Sequence, residues 1–126
     1  MATIAEAVSF LEPEATRKEC VVVTWPALAN GDTGTAIRYS EYADRSVQVS
    51  GAFGGGTLTM QGSNDPTSPT NWSPLTDTLE NDIAKTGAAM EQILQASAWI
   101  RPILSGGAAG SVDVKLFLRR GRGRTL

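Results

Sequence analysis

The sequence predicts an all-β fold: an antiparallel β-sandwich or jelly roll of about seven or eight short strands, with an extended N-terminal arm and a C-terminal tail. Three observations carry this expectation. Apolar side chains recur at every second position in several runs. Glycines and Asn/Asp turn pairs punctuate those runs. The runs are evenly spaced, as the strands of a sandwich are.

Taken in chain order, the first segment allows two readings. Ile4, Val8 and Phe10 alternate, as in a strand, whereas Ile4, Val8 and Leu11 also fit a helical stripe. Residues 1–19 are therefore expected to be an arm or an edge strand, ordered on a partner. Residues 20–118 are the expected sandwich and 119–126 an Arg/Gly-rich tail. Cys20 to Trp25 is a continuous apolar run, which predicts a strand covered on both faces. Asn30-Gly31-Asp32 is turn chemistry. In Ser46-Val47-Gln48-Val49-Ser50-Gly51-Ala52-Phe53, Val47, Val49 and Phe53 point one way and Ser46, Gln48, Ser50 and Ala52 the other. Leu58 and Met60 alternate with Thr57, Thr59 and Gln61 in the next run. Gly54-Gly55-Gly56 between the two predicts a hairpin. Asn64-Asp65-Pro66 is a further turn. Residues 82–94 read as two short strands turning at Gly87, or as one helix with Ile83, Met90 and Leu94 inward; strands are the preferred reading. Trp99 to Leu104 precedes 106–110, a Gly/Ala segment that predicts a second hairpin. In the last run Val112, Val114, Leu116 and Leu118 oppose Asp113, Lys115 and Arg119. The expected core is Val49, Leu58, Met60, Ile100, Val114 and Leu116.

Composition narrows the chemistry. With 126 residues the chain suits one domain. It contains no histidine, which removes Ser-His-Asp and Cys-His nucleophilic machinery and most zinc sites. Its single cysteine, Cys20, has no internal disulfide partner and reads as a buried, inert thiol. No P-loop motif occurs, and the Gly-rich stretch at 51–56 joins strands instead of opening a helix. The first residues lack the basic and apolar regions of a signal peptide, and no apolar stretch approaches the ~18 residues of a membrane helix. A soluble protein without catalytic function is expected, with no metal and no cofactor.

Two acidic clusters stand out, Asp77-Glu80-Asp82 and Glu41-Asp44. Solvated loop charge is the preferred reading over a glycosidase pair or a calcium site. Trp72, after a turn-rich stretch, could stack on a sugar, fill a partner's pocket or cap one end of the sandwich. Four of the 11 basic residues, Arg119, Arg120, Arg122 and Arg124, lie in the last eight positions. The remaining 7 face 13 acidic residues, so the body carries a net charge of −6. Such a body repels phosphate, and the tail alone would give weak nucleic-acid binding. Pairing of the tail with acidic groups of a neighbouring subunit, and simple solvation, fit better.

The stretch 42–65, from Tyr42-Ala43-Asp44-Arg45 through Gln61-Gly62-Ser63-Asn64-Asp65, together with Asn71-Trp72-Ser73-Pro74-Leu75-Thr76-Asp77 and Trp99-Ile100-Arg101-Pro102-Ile103-Leu104-Ser105-Gly106-Gly107, resembles small virion proteins of tailed bacteriophages. The Gln61-to-Asp65 and Asn71-Trp72 elements also look like a strand–turn–strand feature of discoidin-type and other carbohydrate-binding sandwiches. The phage resemblance implies a capsid decoration (cement) protein, or a tail or neck component, on the outer surface of a virion assembled in the host cytoplasm. Its implied partners are the major capsid protein and further copies of itself, as a dimer or trimer, with no membrane. A glycan is the alternative ligand. The contact candidates are residues 1–19, Trp72 and the four tail arginines.

Overall fold

The computed structural model describes residues 2–11, 19–39 and 41–120. Every regular element among them is a strand. In chain order these are β1 (Thr3–Ile4), β2 (Ala7–Phe10), β3 (Cys20–Leu28), β4 (Thr33–Gly34), β5 (Asp44–Ala52), β6 (Thr57–Ser63), β7 (Ser73–Pro74), β8 (Ala84–Lys85), β9 (Ala89–Gln92), β10 (Trp99–Ser105) and β11 (Ser111–Arg119). No helix among the described residues is long and apolar enough to cross a membrane.

The strands form two sheets. Sheet A has the order β1-β4-β10-β6-β7, with β8 also on β6. Sheet B has the order β2-β3-β11-β5-β9. From β3 to β6 and again from β8 to β11 successive strands alternate between the sheets, and strands distant in sequence become neighbours. This is jelly-roll connectivity, with two four-stranded halves (β4-β10-β6-β7 and β3-β11-β5-β9) facing each other. The pairing is antiparallel throughout except for the short parallel ladder between β1 and β4.

Period-two alternation builds the core. β11 buries Val112, Val114, Leu116 and Leu118, and β5 buries Val47 and Val49 in the facing positions of the same sheet. Sheet A contributes Leu58, Met60, Ile100 and Leu104. All of these are at most 2% exposed, Val49, Leu58, Met60, Ile100, Val114 and Leu116 among them. Trp25 is fully buried and donates its indole N–H to the Thr35 carbonyl (3.0 Å), which removes the cost of burying that group.

The apolar run of β3 is not covered on both faces. Val21, Val23 and Trp25 face the core, while Cys20, Val22 and Thr24 are half-buried on the outer face. The reason is that no third layer lies over sheet B among the described residues. Cys20 is accordingly a free, half-buried thiol, not a core one. Near the other end of β3, Ala27 takes φ +54° and donates its amide to Asp113 (2.8 Å), opposite a register shift in β11. That is a β-bulge held by a carboxylate.

The two glycine-rich segments are not hairpins. β5 and β6 lie in different sheets, as do β10 and β11, so 53–56 and 106–110 are arches between the layers. They stack on each other at one end of the sandwich. The Ala108 amide donates to the Gly54 carbonyl (2.9 Å). A Cβ on Gly54 would lie 2.1 Å from the Ala108 carbonyl oxygen, and one on Gly107 would lie 2.3 Å from the Gly54 oxygen. Both glycines also have positive φ, +58° and +71°. Asn30 ties the arches together, donating to the Phe53 (3.0 Å) and Gly106 (2.7 Å) carbonyls and accepting from the Gly110 amide (2.6 Å).

The N-terminal segment supplies an edge strand to each sheet, β1 to sheet A and β2 to sheet B. Buried Asp32 anchors its start by accepting from the Ala2 and Ala29 amides (both 2.9 Å). Residues 82–94 form the two short strands β8 and β9. Lys85 on β8 and Glu91 on β9 pair at 2.6 Å and so clasp the two sheets along that side.

Candidate functional site

An open cleft of about 690 Å³ lies beside the end of β6. Its walls come from Gly62 and Ser63, the 64–71 loop, β7 and residues 95–97. Asp65 organises the loop. Its carboxylate accepts from the Thr70 amide (2.9 Å) and the Thr70 hydroxyl. These bonds favour the charged form and hold the Asp65 pKa below its ordinary value, the hydroxyl bond first and the amide bond next. The Ser63 hydroxyl donates to the Thr70 carbonyl (2.6 Å) from beneath, so the loop closes on itself. Gln95 fixes the opposite wall through the Thr76 amide (2.8 Å) and hydroxyl (2.7 Å).

Trp72 stands immediately before β7, half-buried, and its ring stacks under the Arg101 guanidinium at 4.1 Å from the centroid. Arg101 Nε donates to Gln61 Oε1 (2.8 Å). Partial burial lowers the Arg101 pKa, but a guanidinium remains charged at neutral pH. A second such pair sits alongside: Arg38 lies 5.0 Å from the Trp99 ring centroid. Trp99 is oriented by its indole N–H, which donates to the Asp65 carbonyl (2.9 Å). Trp72 is thus neither a core side chain nor a free platform, because a cation covers one of its faces.

The tail arginines separate. Arg119 is the last residue of β11 and pairs with Asp44 within the chain (2.9 and 3.1 Å). Arg120 donates its amide to the Glu19 carbonyl (3.0 Å) and lies 5.4 Å from the Tyr42 ring centroid. Arg119 and Arg120 therefore both belong to the body and not to a free tail. Arg122 and Arg124 lie outside the described residues. Glu19 and Arg120 thus meet at the end of sheet B opposite the arches.

The acidic clusters have structural duties. Asp77 accepts from the Leu79 (2.9 Å) and Asn81 (3.1 Å) amides and so shapes a turn in which Glu80 takes φ +67°. Asp44 is occupied by Arg119, and Glu41 is exposed. No group of three metal-ligating side chains occurs among the described residues.

Sequence reasoning missed Arg45. It is 3% exposed and donates to three main-chain carbonyls: Tyr42 (3.0 Å), Ser97 (3.2 Å) and Tyr39 (3.3 Å). Burial lowers its pKa. The signal was available, since residue 45 shares the inward parity of Val47 and Val49. An arginine in that slot marks a buried cation that must find acceptors.

No known protein family and no curated protein matches the chain. Among solved structures, the SPBc2 prophage-derived protein YomS is similar with a TM-score of 0.57 at 10% identity, over 79% of this chain and 93% of that one. A cupin domain from Bordetella pertussis gives 0.45 at 12% identity, over 94% and 95% of the two chains. Chitosan-binding module 1 of a chitosanase/glucanase from Paenibacillus sp. IK-5 gives 0.35 at 17% identity, over 92% and 74%. What the comparison with YomS shows is the fold: this chain is an all-β sandwich of the kind found in that prophage-derived protein.

Proposed function

We propose that this chain is a structural component of a phage virion, a decoration protein that braces neighbouring coat subunits from the outer surface of the shell. The observation that carries the reading is the shared fold with a prophage-derived protein over most of both chains. The geometry is compatible with bracing. The carboxylates Asp44, Asp65 and Asp77 are each bound to groups of the same chain. Glu19 and Arg120, the described residues of the expected arm (1–19) and tail (119–126) that touch, lie together at one end. Many copies would add such contacts through multivalency. The body's net charge of −6 suits an outer surface away from packaged DNA.

The test is to delete residues 121–126 and to add the variant to undecorated shells. Reduced occupancy with an unchanged melting temperature is expected. Full occupancy would remove the tail from the mechanism. Absence of the protein from purified particles, read by mass spectrometry and electron microscopy, would end the virion reading.

A second reading is favoured by one observation, the open cleft of mixed polar and apolar lining beside Trp72. On this reading the chain is a glycan-binding module of the virion.

A further inference from the structure

The outer face of sheet A alternates cation and aromatic. The β6–β10 register pairs Gln61 with Arg101 and Ser63 with Trp99. The β6–β7 register pairs Gln61 with Pro74 and Gly62 with Ser73, which carries Trp72 to the position opposite Ser63. The Ile37–Ile100 bridge sets Arg38 beside Trp99. Two arginines and two tryptophans thus occupy one surface, next to the cleft.

Arg101 is pre-positioned. Trp72 fixes the plane of its guanidinium and Gln61 occupies Nε, while among the described residues no hydrogen bond engages its two Nη groups. Neither Arg101 nor Arg38 has an ion-pair partner among the described residues, although acidic residues outnumber basic ones in the chain. A planar fork with both Nη groups open matches a carboxylate bidentately, and the loss of side-chain freedom has already been met by the stack. The adjoining cleft offers amides and hydroxyls, from Asn64, Asn71 and Ser73, beside the apolar surfaces of Pro74, Leu75 and Ala96. Asn64 uses its Oδ1 on the Ala98 amide (2.8 Å), which orients its NH2 group. Such a mixed lining suits a sugar, which presents hydroxyls at its edges and C–H groups on its faces.

We propose that this face binds a glycan carrying anionic groups, with Arg101 gripping a carboxylate through its Nη groups and the cleft bonding the neighbouring sugar hydroxyls. Arg38 on Trp99 supplies a second cation for the next charged residue of the polymer. The inference rests on the glycan-binding reading and adds the charge class of the ligand and the residue that reads it.

The experiment applies the full chain to a microarray of neutral, uronate-bearing and phosphate-bearing bacterial polysaccharides, with poly-glutamate as a polyanion without sugar. Calorimetry on the hits then compares wild type with R101Q, R101K and R38Q. Binding confined to anionic glycans is expected, weakened roughly ten- to hundredfold in R101Q. R101K, which keeps a charge but lacks the fork, should fall between the two, and R38Q should lose less. Melting temperatures report folding, and R101K serves as the readout if R101Q is unstable. Equal binding of neutral glycans, or wild-type affinity in both Arg101 variants, overturns the anionic assignment and leaves the broader glycan reading standing. Poly-glutamate bound as tightly as any glycan overturns it in favour of an acidic polypeptide. An array blank for every probe overturns both.

Discussion

Replacing Arg45 with methionine isolates a buried cation that, among the described residues, has carbonyl acceptors but no carboxylate partner. The methionine keeps much of the stem's volume and removes the three donors. The carbonyls of Tyr39, Tyr42 and Ser97 then lose their bonds in a site where Arg45 is 3% exposed. Each stranded acceptor costs ~1–3 kcal/mol, so the gross loss is ~3–9 kcal/mol. Against this, the variant no longer buries a charge, which relieves several kcal/mol of desolvation. The net expectation is a destabilisation of about 2–4 kcal/mol. For a chain of this size that lowers the melting temperature by roughly 10 °C. Far-UV circular dichroism during thermal and urea denaturation measures both quantities. Amide exchange in the 38–42 and 97–99 segments should also accelerate, because the guanidinium is what joins them. A variant as stable as the parent, with unchanged exchange there, would refute the claim that Arg45 staples these loops. It would mean that desolvation outweighs the three bonds.

Two further predictions follow from burial and from charge. Val114→Asp places a carboxylate at a fully buried position in the central strand of sheet B. It forfeits ~1.5–3 kcal/mol of apolar burial and adds an unpaired buried charge, a sum comparable with the ~5–15 kcal/mol that hold a domain together. The expected result is a collapsed amide spectrum in NMR; a dispersed spectrum and a cooperative melt would contradict the two-sheet core. Asp65→Asn should loosen the 64–72 loop, read as faster exchange of the Thr70 amide near pH ~6. The sign of the pH effect is fixed by the depressed native pKa. The contribution of Asp65 is complete above the ordinary value of 3.8 and disappears as pH falls through the lower native value. The difference between wild type and D65N should therefore shrink on strong acidification, and a difference that grows would show that charge is not its source.

Much of the sandwich was legible because one side chain in two had to leave water. β5, β6 and β11 announce themselves that way, and their inward residues are those that the parity selects. Strands of two residues, such as β1, β4, β7 and β8, cannot display a period at all. Partnership was hidden for a different reason. A glycine turn states that the chain reverses, not whether it stays in its sheet, so the segments at 53–56 and 106–110 read as hairpins when they are arches. Trp72 was visible as an unusual aromatic, but its cation was not. Arg101 reaches it only through two successive registers, β10 on β6 and β6 on β7. Arg45 was hidden by habit more than by physics, since a charged side chain next to a polar-alternating strand is easily assigned to solvent.

The position of β11 has a consequence for how the molecule is made. Of the described strands β11 is made last, yet it is the one inserted between β3 and β5, and it pairs along its length with both. Sheet B therefore cannot close until β11 has been made. Until then β3 and β5 present bare ladder edges and apolar inner faces to solvent, the condition under which nascent β-proteins aggregate or recruit chaperones. Pairing strands from opposite ends of the chain also makes folding slow for its size. Truncations that remove β11 should accumulate as insoluble material, whereas trimming beyond Arg120 should not.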